Sequence, residues 1–173
     1  MTVRPGIARL AAALALTLSV PLLQAWPPPH PDHLKPENNV MLIGKRDVGG
    51  GINFYSLQKE IGLGQGLAQQ VEQNSKIVTD PVVNEYINRI AQNLVRNSDA
   101  KVAFTVKVIQ DDSINAFALP GGFFFVNTGL ILASGEEDEL AGAMAHEIAH
   151  VAARHATRNA TKENCCSWPQ FPQ

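Results

Sequence analysis

The pentapeptide HEIAH, residues 146–150, places two imidazoles and a carboxylate at a spacing that suits metal chemistry. Residues four apart lie on one face of an α-helix, so His146 and His150 can both reach one ion. Glu147 is adjacent to the first histidine and can accept a proton from a water at that ion. The spacing therefore predicts a zinc site with a general base beside it.

The alternative interpretation is that these residues are an exposed polar surface that binds nothing. It would be favoured only if the segment did not form a helix. Ser134 is a good N-cap residue, and Glu137 three positions later completes a capping box. The acids at 136–139 suit the first turn of a helix, and strong helix formers without proline follow from 140 to 156. We therefore predict a helix that is capped by Ser134 and carries the motif.

The N-terminus has the composition of a secretory signal peptide. Arg4 and Arg9 precede an apolar run at 10–23, and Ala25 offers a small residue for cleavage before Trp26. The alternative is an uncleaved anchor helix, but the run is short for a membrane span of roughly 20 residues. The sequence thus predicts an exported protein.

The composition of the chain suits one globular domain, with a net charge of -2 and 45% hydrophobic residues. This charge does not suggest nucleic-acid binding.

The other possible metal ligands, two histidines and two cysteines, lie in segments that do not preorganise them. His30 and His33 fall in a lead-in at 26–55 whose PPPHP segment and glycine run favour extended chain. Cys165 and Cys166 are the only cysteines, and a bridge between adjacent cysteines is strained. We interpret the histidines as solvated and the cysteines as two tail thiols.

The body of the chain reads as two helices, a group of strands and the motif helix, which is an α+β arrangement. Ser56 starts the first helix, whose glycines at 62, 64 and 66 indicate either close contact with another element or fraying. Asp80 and Pro81 start the second helix as N-cap and first residue. Strands are predicted at 102–109, 115–119 and 123–126, the last two antiparallel and joined by a Pro-Gly-Gly turn.

Two segments in this order resemble peptidase family M48: NAFALPGGFFFVNTGLI at 115–131 and ELAGAMAHEIAHVAARHATR at 139–158. That family comprises zinc metallopeptidases, including HtpX and the CAAX prenyl endopeptidases, and this chain is most similar to its exported bacterial branch. The resemblance covers residues 56–162. It implies the N-terminal portion of a gluzincin-like fold with a small antiparallel sheet, His146 and His150 as ligands of Zn2+, and Glu147 as catalytic acid and base.

The resemblance also implies how a substrate binds and where the protein works. In the family, the strand before the motif helix lies beside the cleft and holds a polypeptide as an added strand. The corresponding substrate-binding residues here are Asn115, Ala116, Phe117 and Ala118. The implied substrates are exported polypeptides, among them misfolded outer-membrane proteins, and the implied partner is the outer-membrane assembly machinery. The implied location is the periplasm, with membrane association left open.

The chain departs from the family pattern at the third zinc ligand. A catalytic zinc needs three protein ligands, and the family supplies the third as a glutamate on a later helix. The tail at 163–173, ENCCSWPQFPQ, no longer resembles the family, and its two prolines argue against a continuing helix. Glu163, a tail cysteine or a second chain remain candidates to complete the site.

His155 is a less suitable third ligand. The pattern with a third histidine after the motif needs Gly at 153 and His at 156, where this chain has Ala153 and Ala156. On a continuous helix His155 would project roughly 140° away from His150, which predicts a packing or hydrogen-bonding role. Two hypotheses follow: a zinc metalloendopeptidase, or a truncated, inactive remnant that at most binds extended peptides at its strand edge.

Overall fold

The computed structural model describes residues 34–166, and the side chains of 164–166 are outside that description. Two short 3-10 helices, Pro36–Asn38 and Val40–Leu42, precede the main elements. These are α1 (Leu57–Asn74), α2 (Pro81–Arg96), β1 (Thr105–Ile109), β2 (Ala116–Leu119), β3 (Phe123–Asn127), α3 (Thr128–Ala133), α4 (Glu137–Ala152) and α5 (His155–Cys166). The proposed signal peptide at 1–25, His30 and His33 lie outside the described residues. Between 34 and 166, no helix is both long and apolar enough to cross a membrane.

The first two helices begin at the predicted residues. The Ser56 side chain accepts a hydrogen bond from the backbone N–H of Lys59 at 3.2 Å. The Asp80 carboxylate accepts from the backbone N–H of Val82 at 2.8 Å, and Pro81 occupies the first helical position. Each cap satisfies a backbone donor that has no partner within its helix. These local signals confirm both helix starts.

The three strands form one sheet in the order β1-β3-β2. β2 and β3 pair antiparallel, which confirms the hairpin at the Pro-Gly-Gly turn. β1 pairs parallel to β3, so the sheet is mixed and the expectation of a wholly antiparallel sheet is corrected for this pair. The reason is the path of the chain, which passes from β1 to the far edge before the hairpin returns it to the centre.

The sheet is covered on both faces, which explains the continuous apolar run of β3. The larger core lies between one face, α2 and α4, and the smaller core lies on the other face beneath α1. Phe124 and Val126 point into the larger core, whereas Phe125 points into the smaller one with Ala68 and Ile109. Because neighbouring strand residues face opposite sides, a central strand buried on both faces reads as uninterrupted hydrophobic sequence.

The motif helix α4 begins differently from the prediction. Ser134 does not cap it: its hydroxyl donates to the carbonyl of Leu130 at 2.8 Å and so closes α3, the short helix between β3 and α4. The N-cap of α4 is Glu136, which makes no side-chain capping bond. Instead, the Glu139 carboxylate accepts from the backbone N–H of Gly135 at 2.8 Å. This bond ties the residue before the N-cap to the first turn, and the acids of that turn favour the helix N-terminus through the helix dipole.

The motif helix also ends earlier than predicted. The favourable composition at 140–156 indicated one continuous helix, but α4 stops at Ala152 and a new helix, α5, begins at His155. Between them Arg154 adopts the left-handed conformation, with φ of 54°. That conformation is uncommon for a residue with a side chain and ends a helix. α5 then continues into the divergent tail as far as Cys166.

Candidate metal centre

Helix α4 turns its two motif histidines outward because its opposite face is anchored in the core. Leu140, Met144 and Ile148 recur every four residues and are almost fully buried in the larger core. His146 and His150 lie on the other face and are exposed. The helical period of 3.6 residues therefore places both imidazoles together at the surface, as the motif spacing predicts.

The imidazoles converge at their Nε2 atoms, which lie 3.1 Å apart. Two nitrogens bound to one tetrahedral zinc, each about 2.0–2.1 Å from the ion, are separated by roughly 3.3 Å. The separation of the ring nitrogens of His146 and His150 therefore fits a shared ion. Imidazole nitrogen is also a ligand type that zinc prefers.

Glu147 lies beside this pair at a cavity of about 230 Å³, which is also lined by Ala118, Leu119, His150 and His155. Glu147 is partly exposed, so its carboxylate can meet both solvent and a bound molecule. A general base must come within hydrogen-bond reach of the proton that it removes. The cavity brings the carboxylate, one motif histidine and the end of β2 to the same surface.

The four residues assigned to substrate binding are distributed over both sides of β2. Ala118 lines the cavity, and Ala116 and Ala118 pack at the margin of the larger core. Phe117 points to the other face, where its ring stacks on Phe125 with centroids 5.3 Å apart. Asn115 is exposed just before the strand, and its carbonyl accepts from the backbone N–H of Asn127. The structure therefore places Ala118, but not the ring of Phe117, beside the motif helix.

β2 is an edge strand, since β3 is its only neighbour in the sheet formed by the described residues. The backbone on the other side of such a strand can pair with an added peptide. Helix α4 packs next to β2. The geometry therefore suits an extended polypeptide that runs along β2 and past Glu147.

A second, mainly apolar cavity of about 510 Å³ adjoins the same histidines and is lined by apolar residues such as Ile43 and Leu94. Asp99 and Arg46 form its charged part, with the Arg46 Nε donating to the Asp99 carboxylate at 2.9 Å. Burial raises the pKa of Asp99, but hydrogen bonds from the Arg46 side chain and from the Gly44 and Arg46 backbones outweigh it. The pKa is therefore below its ordinary value.

His146 and His150 are the two candidate ligands that lie together within the part of the chain whose side chains are described. Among residues 34–163, no group of three His, Cys, Asp or Glu side chains is arranged to hold a metal. Glu163 is exposed on α5. The side chains of Cys165 and Cys166 fall outside the description.

His155 was expected to project away from His150, and this expectation is wrong. The Nδ1 atoms of the two rings lie 3.0 Å apart. The break at Arg154 explains the difference, because the assumed angle holds only for an unbroken helix. Of the two predicted roles, packing or hydrogen bonding, the contact with His150 agrees with hydrogen bonding. Burial, followed by the nearby charges of His150, Arg158 and Lys162, lowers the pKa of His155 below its ordinary value.

A buried carboxylate, Glu60 on α1, holds the helix break in place. Its Oε1 accepts from the Arg154 Nε at 2.9 Å and from the Thr157 hydroxyl. The Arg154 guanidinium also donates to the carbonyl of Tyr55. Glu60 is 4% exposed, so this contact joins α1 to the start of α5 inside the protein. Sequence reasoning missed it, because a glutamate on a helix gives no local sign of a partner 94 positions away.

Comparison with known proteins agrees with this geometry. The sequence profile of Peptidase family M48 matches residues 81–172, just over half of the chain and beyond the expected limit at residue 162. A putative beta-barrel assembly-enhancing protease of Vibrio cholerae is 40% identical over 95 residues, and the beta-barrel assembly-enhancing protease of Escherichia coli is 36% identical over 95 residues. Each alignment covers 54% of this chain and 20% of the relative.

A third relative is mitochondrial. The metalloendopeptidase OMA1 of Schizosaccharomyces pombe is 39% identical over 65 residues, which are 37% of this chain and 19% of that protein. The chain thus spans about a fifth of the length of these relatives. The resemblance read from the two segments is confirmed by the family match and by bacterial relatives named beta-barrel assembly-enhancing protease. This chain belongs to Peptidase family M48, a family of metallopeptidases.

Proposed function

We propose that this protein is a zinc metalloendopeptidase that cleaves exported polypeptides. The observation that carries the proposal is the 3.1 Å separation of the His146 and His150 Nε2 atoms, beside a cavity lined by Glu147. Family membership supports the reaction class, since the family consists of metallopeptidases. The assignment of zinc rests on two imidazole ligands at a tetrahedral spacing.

The residues divide the chemistry between binding and proton transfer. Zinc, when bound, would polarise the peptide carbonyl and lower the pKa of water. His146 and His150 would hold the ion, because their Nε2 atoms face each other at 3.1 Å. Glu147 accepts the proton of the attacking water and passes it to the leaving amine. Because Glu147 and Ala118 line one cavity, this proton transfer takes place next to β2.

The substrate is proposed to bind as an added strand along β2, at residues 115–118. The free edge supplies backbone hydrogen bonds, which are independent of sequence, and the cavity receives alternate side chains of the peptide. The bacterial relatives carry the name beta-barrel assembly-enhancing protease. We extend that name to the proposal that the substrates include outer-membrane proteins and that the assembly machinery is a partner.

Location in the periplasm is part of the proposal and rests on the residue pattern at 1–25. N-terminal sequencing of the mature protein tests it, with Trp26 as the expected first residue. A mature chain that begins near Met1 and stays in the membrane fraction would show that the apolar run is an anchor.

The activity is tested with Glu147→Gln in the purified full chain with added zinc. Loss of the general base should lower the rate of peptide cleavage by about 10² to 10⁴-fold and leave zinc affinity unchanged. His146→Ala should lower both, and Glu85→Gln, which changes an exposed glutamate on α2, serves as the control. Equal cleavage by Glu147→Gln and the unchanged protein would refute the mechanism.

A second candidate function is peptide binding without hydrolysis. It is favoured by the ligand count, because residues 34–163 place two ligands where a catalytic zinc needs three. Fluorescence anisotropy with an extended labelled peptide distinguishes the two functions when zinc is added. Binding without cleavage at any zinc concentration would support the second function, whereas zinc-dependent cleavage supports the first.

A further inference from the structure

The three histidine rings around the motif form a continuous chain of nitrogen contacts. His150 meets His146 through Nε2 at 3.1 Å and His155 through Nδ1 at 3.0 Å. Both ring pairs are edge-on, with centroids 4.7 Å apart. His150 is thus the central ring, and each of its two nitrogens faces another imidazole.

The contact with His155 bears on which nitrogen of His150 carries the proton. A neutral imidazole has one N–H donor and one acceptor nitrogen. If His150 donates from Nδ1 to His155, its Nε2 is left with a free lone pair beside His146. If His155 donates instead, the proton of His150 sits on Nε2 and blocks the ligand position. Histidines that bind metals generally donate their other N–H to a neighbouring acceptor.

The position of His155 is set by the backbone rather than by the site itself. A continuous helix would carry His155 away from His150, and the left-handed Arg154 brings it back. Arg154 is held by its ion pair with Glu60 at 2.9 Å and by its contact with the Tyr55 carbonyl. A buried network thus supports the ring that faces His150.

We propose that His155 is a positioning residue that accepts the Nδ1 proton of His150 and so keeps the Nε2 of His150 free to bind metal. The metal-binding part rests on the proposed zinc function, whereas the tautomer part concerns the protein without metal. The acceptor at this position is a third imidazole, and it binds no metal itself. The Arg154–Glu60 ion pair keeps it within reach of His150.

Two measurements on the full chain test the proposal: nitrogen NMR of the histidine rings without metal, and zinc affinity by competition with a chelating dye. The unchanged protein should show His150 protonated at Nδ1. His155→Phe removes the acceptor, so His150 should lose its preference for that tautomer and zinc should bind about 10 to 100-fold more weakly. His155→Asn retains a side-chain acceptor and should recover most of the affinity.

Asn159→Ala is the matched control, because Asn159 is an exposed residue on the same helix that lines the same cavity. It should change neither the tautomer nor the affinity. An unaltered tautomer and unaltered zinc affinity in His155→Phe would overturn the proposal. If the unchanged protein binds no zinc, the proposed function fails, and the His150 tautomer alone decides whether His155 positions it. If His155→Phe does not fold, His155→Asn against His155→Ala gives the same comparison.

Discussion

Gly64 on α1 packs against the carbonyl of Pro120 so closely that a Cβ at Gly64 would lie 1.7 Å from that oxygen. The same Cβ would lie 3.0 Å from the ring of Phe123. Helix α1 therefore contacts the turn between β2 and β3 through its backbone. Because Pro120 and Gly121 also line the cavity with Glu147, this contact fixes one end of the proposed substrate edge.

Gly64→Ala should lower the free energy of unfolding by about 1–3 kcal/mol or more, since the added methyl overlaps backbone that must move. Gly62→Ala is the matched control on the same helix, where a Cβ meets nothing within 4 Å. It should raise the free energy of unfolding by about 0.5–1 kcal/mol, because alanine favours the helix over glycine. Urea unfolding measures both. Similar effects of the two substitutions would contradict the close contact at Gly64.

The Glu60–Arg154 ion pair should contribute strongly to stability because it is sheltered from water. Glu60→Ala leaves the Arg154 guanidinium partly buried without its partner. We expect this substitution to lower the free energy of unfolding by about 3 kcal/mol. Asp47→Ala removes the partner of Lys101 in a pair of equal length, 2.9 Å, that is exposed. Asp47→Ala should therefore lower the free energy of unfolding by less than about 1 kcal/mol. Chemical denaturation of both variants tests the difference, and equal losses would show that burial of Glu60 has no effect.

The features that the sequence predicts well depend on neighbouring residues. Ser56 and Asp80 cap their helices because the capping side chain and its backbone partner are two or three positions apart. The Pro-Gly-Gly turn closes its hairpin for the same reason. His146 and His150 meet because one helix fixes their separation. The family resemblance adds to this local reasoning and is confirmed over residues 81–172.

The features that escape prediction depend on contacts between distant parts of the chain. Ala153 and Arg154 both favour a helix, yet the helix breaks there, and Arg154 is held by Glu60 of α1. Ser134 has the residue type of an N-cap but closes the preceding helix, because local preference does not specify which of two adjacent helices it serves. The contact between His155 and His150 depends on the same helix break at Arg154. It could not be predicted from the geometry of a continuous helix.

Acid should weaken the contact between Asp99 and Arg46. The pKa of Asp99 is held below its ordinary value of 3.8, so its carboxylate stabilises the folded protein at pH values above that value. This stabilisation is lost as the pH falls through the lowered pKa, because protonation removes the charge that Arg46 and the Gly44 backbone contact. The free energy of unfolding should be measured against pH for the unchanged protein and Asp99→Asn.

The unchanged protein and Asp99→Asn should differ in free energy of unfolding by a constant amount near neutral pH. This difference should shrink below pH 3.8. Asp47→Asn is the control, because its exposed pair with Lys101 should alter the pH profile little. A difference between the unchanged protein and Asp99→Asn that stays constant down to the lowest pH would show that the charge of Asp99 has no part in stability.

Zinc bound by this chain should exchange readily and be removed by mild chelators. A site draws its affinity from its full ligand set, and residues 34–163 place two histidines together without a third ligand. A weakly bound ion stabilises the fold little, because the gain depends on how far its concentration exceeds the dissociation constant. Dialysis against a mild chelator followed by metal analysis should therefore leave well under one zinc per chain, with little change in the thermal midpoint.

His150→Ala should abolish even the weak binding seen with added zinc, since it removes one of the two ligands. The contrary outcome is one zinc per chain that survives the chelator and raises the thermal midpoint. That result would mean that Glu163, a tail cysteine or a second chain supplies the missing ligand. Glu163→Gln and Cys165→Ser would then identify the donor, and dependence of the retained zinc on protein concentration would point to the second chain.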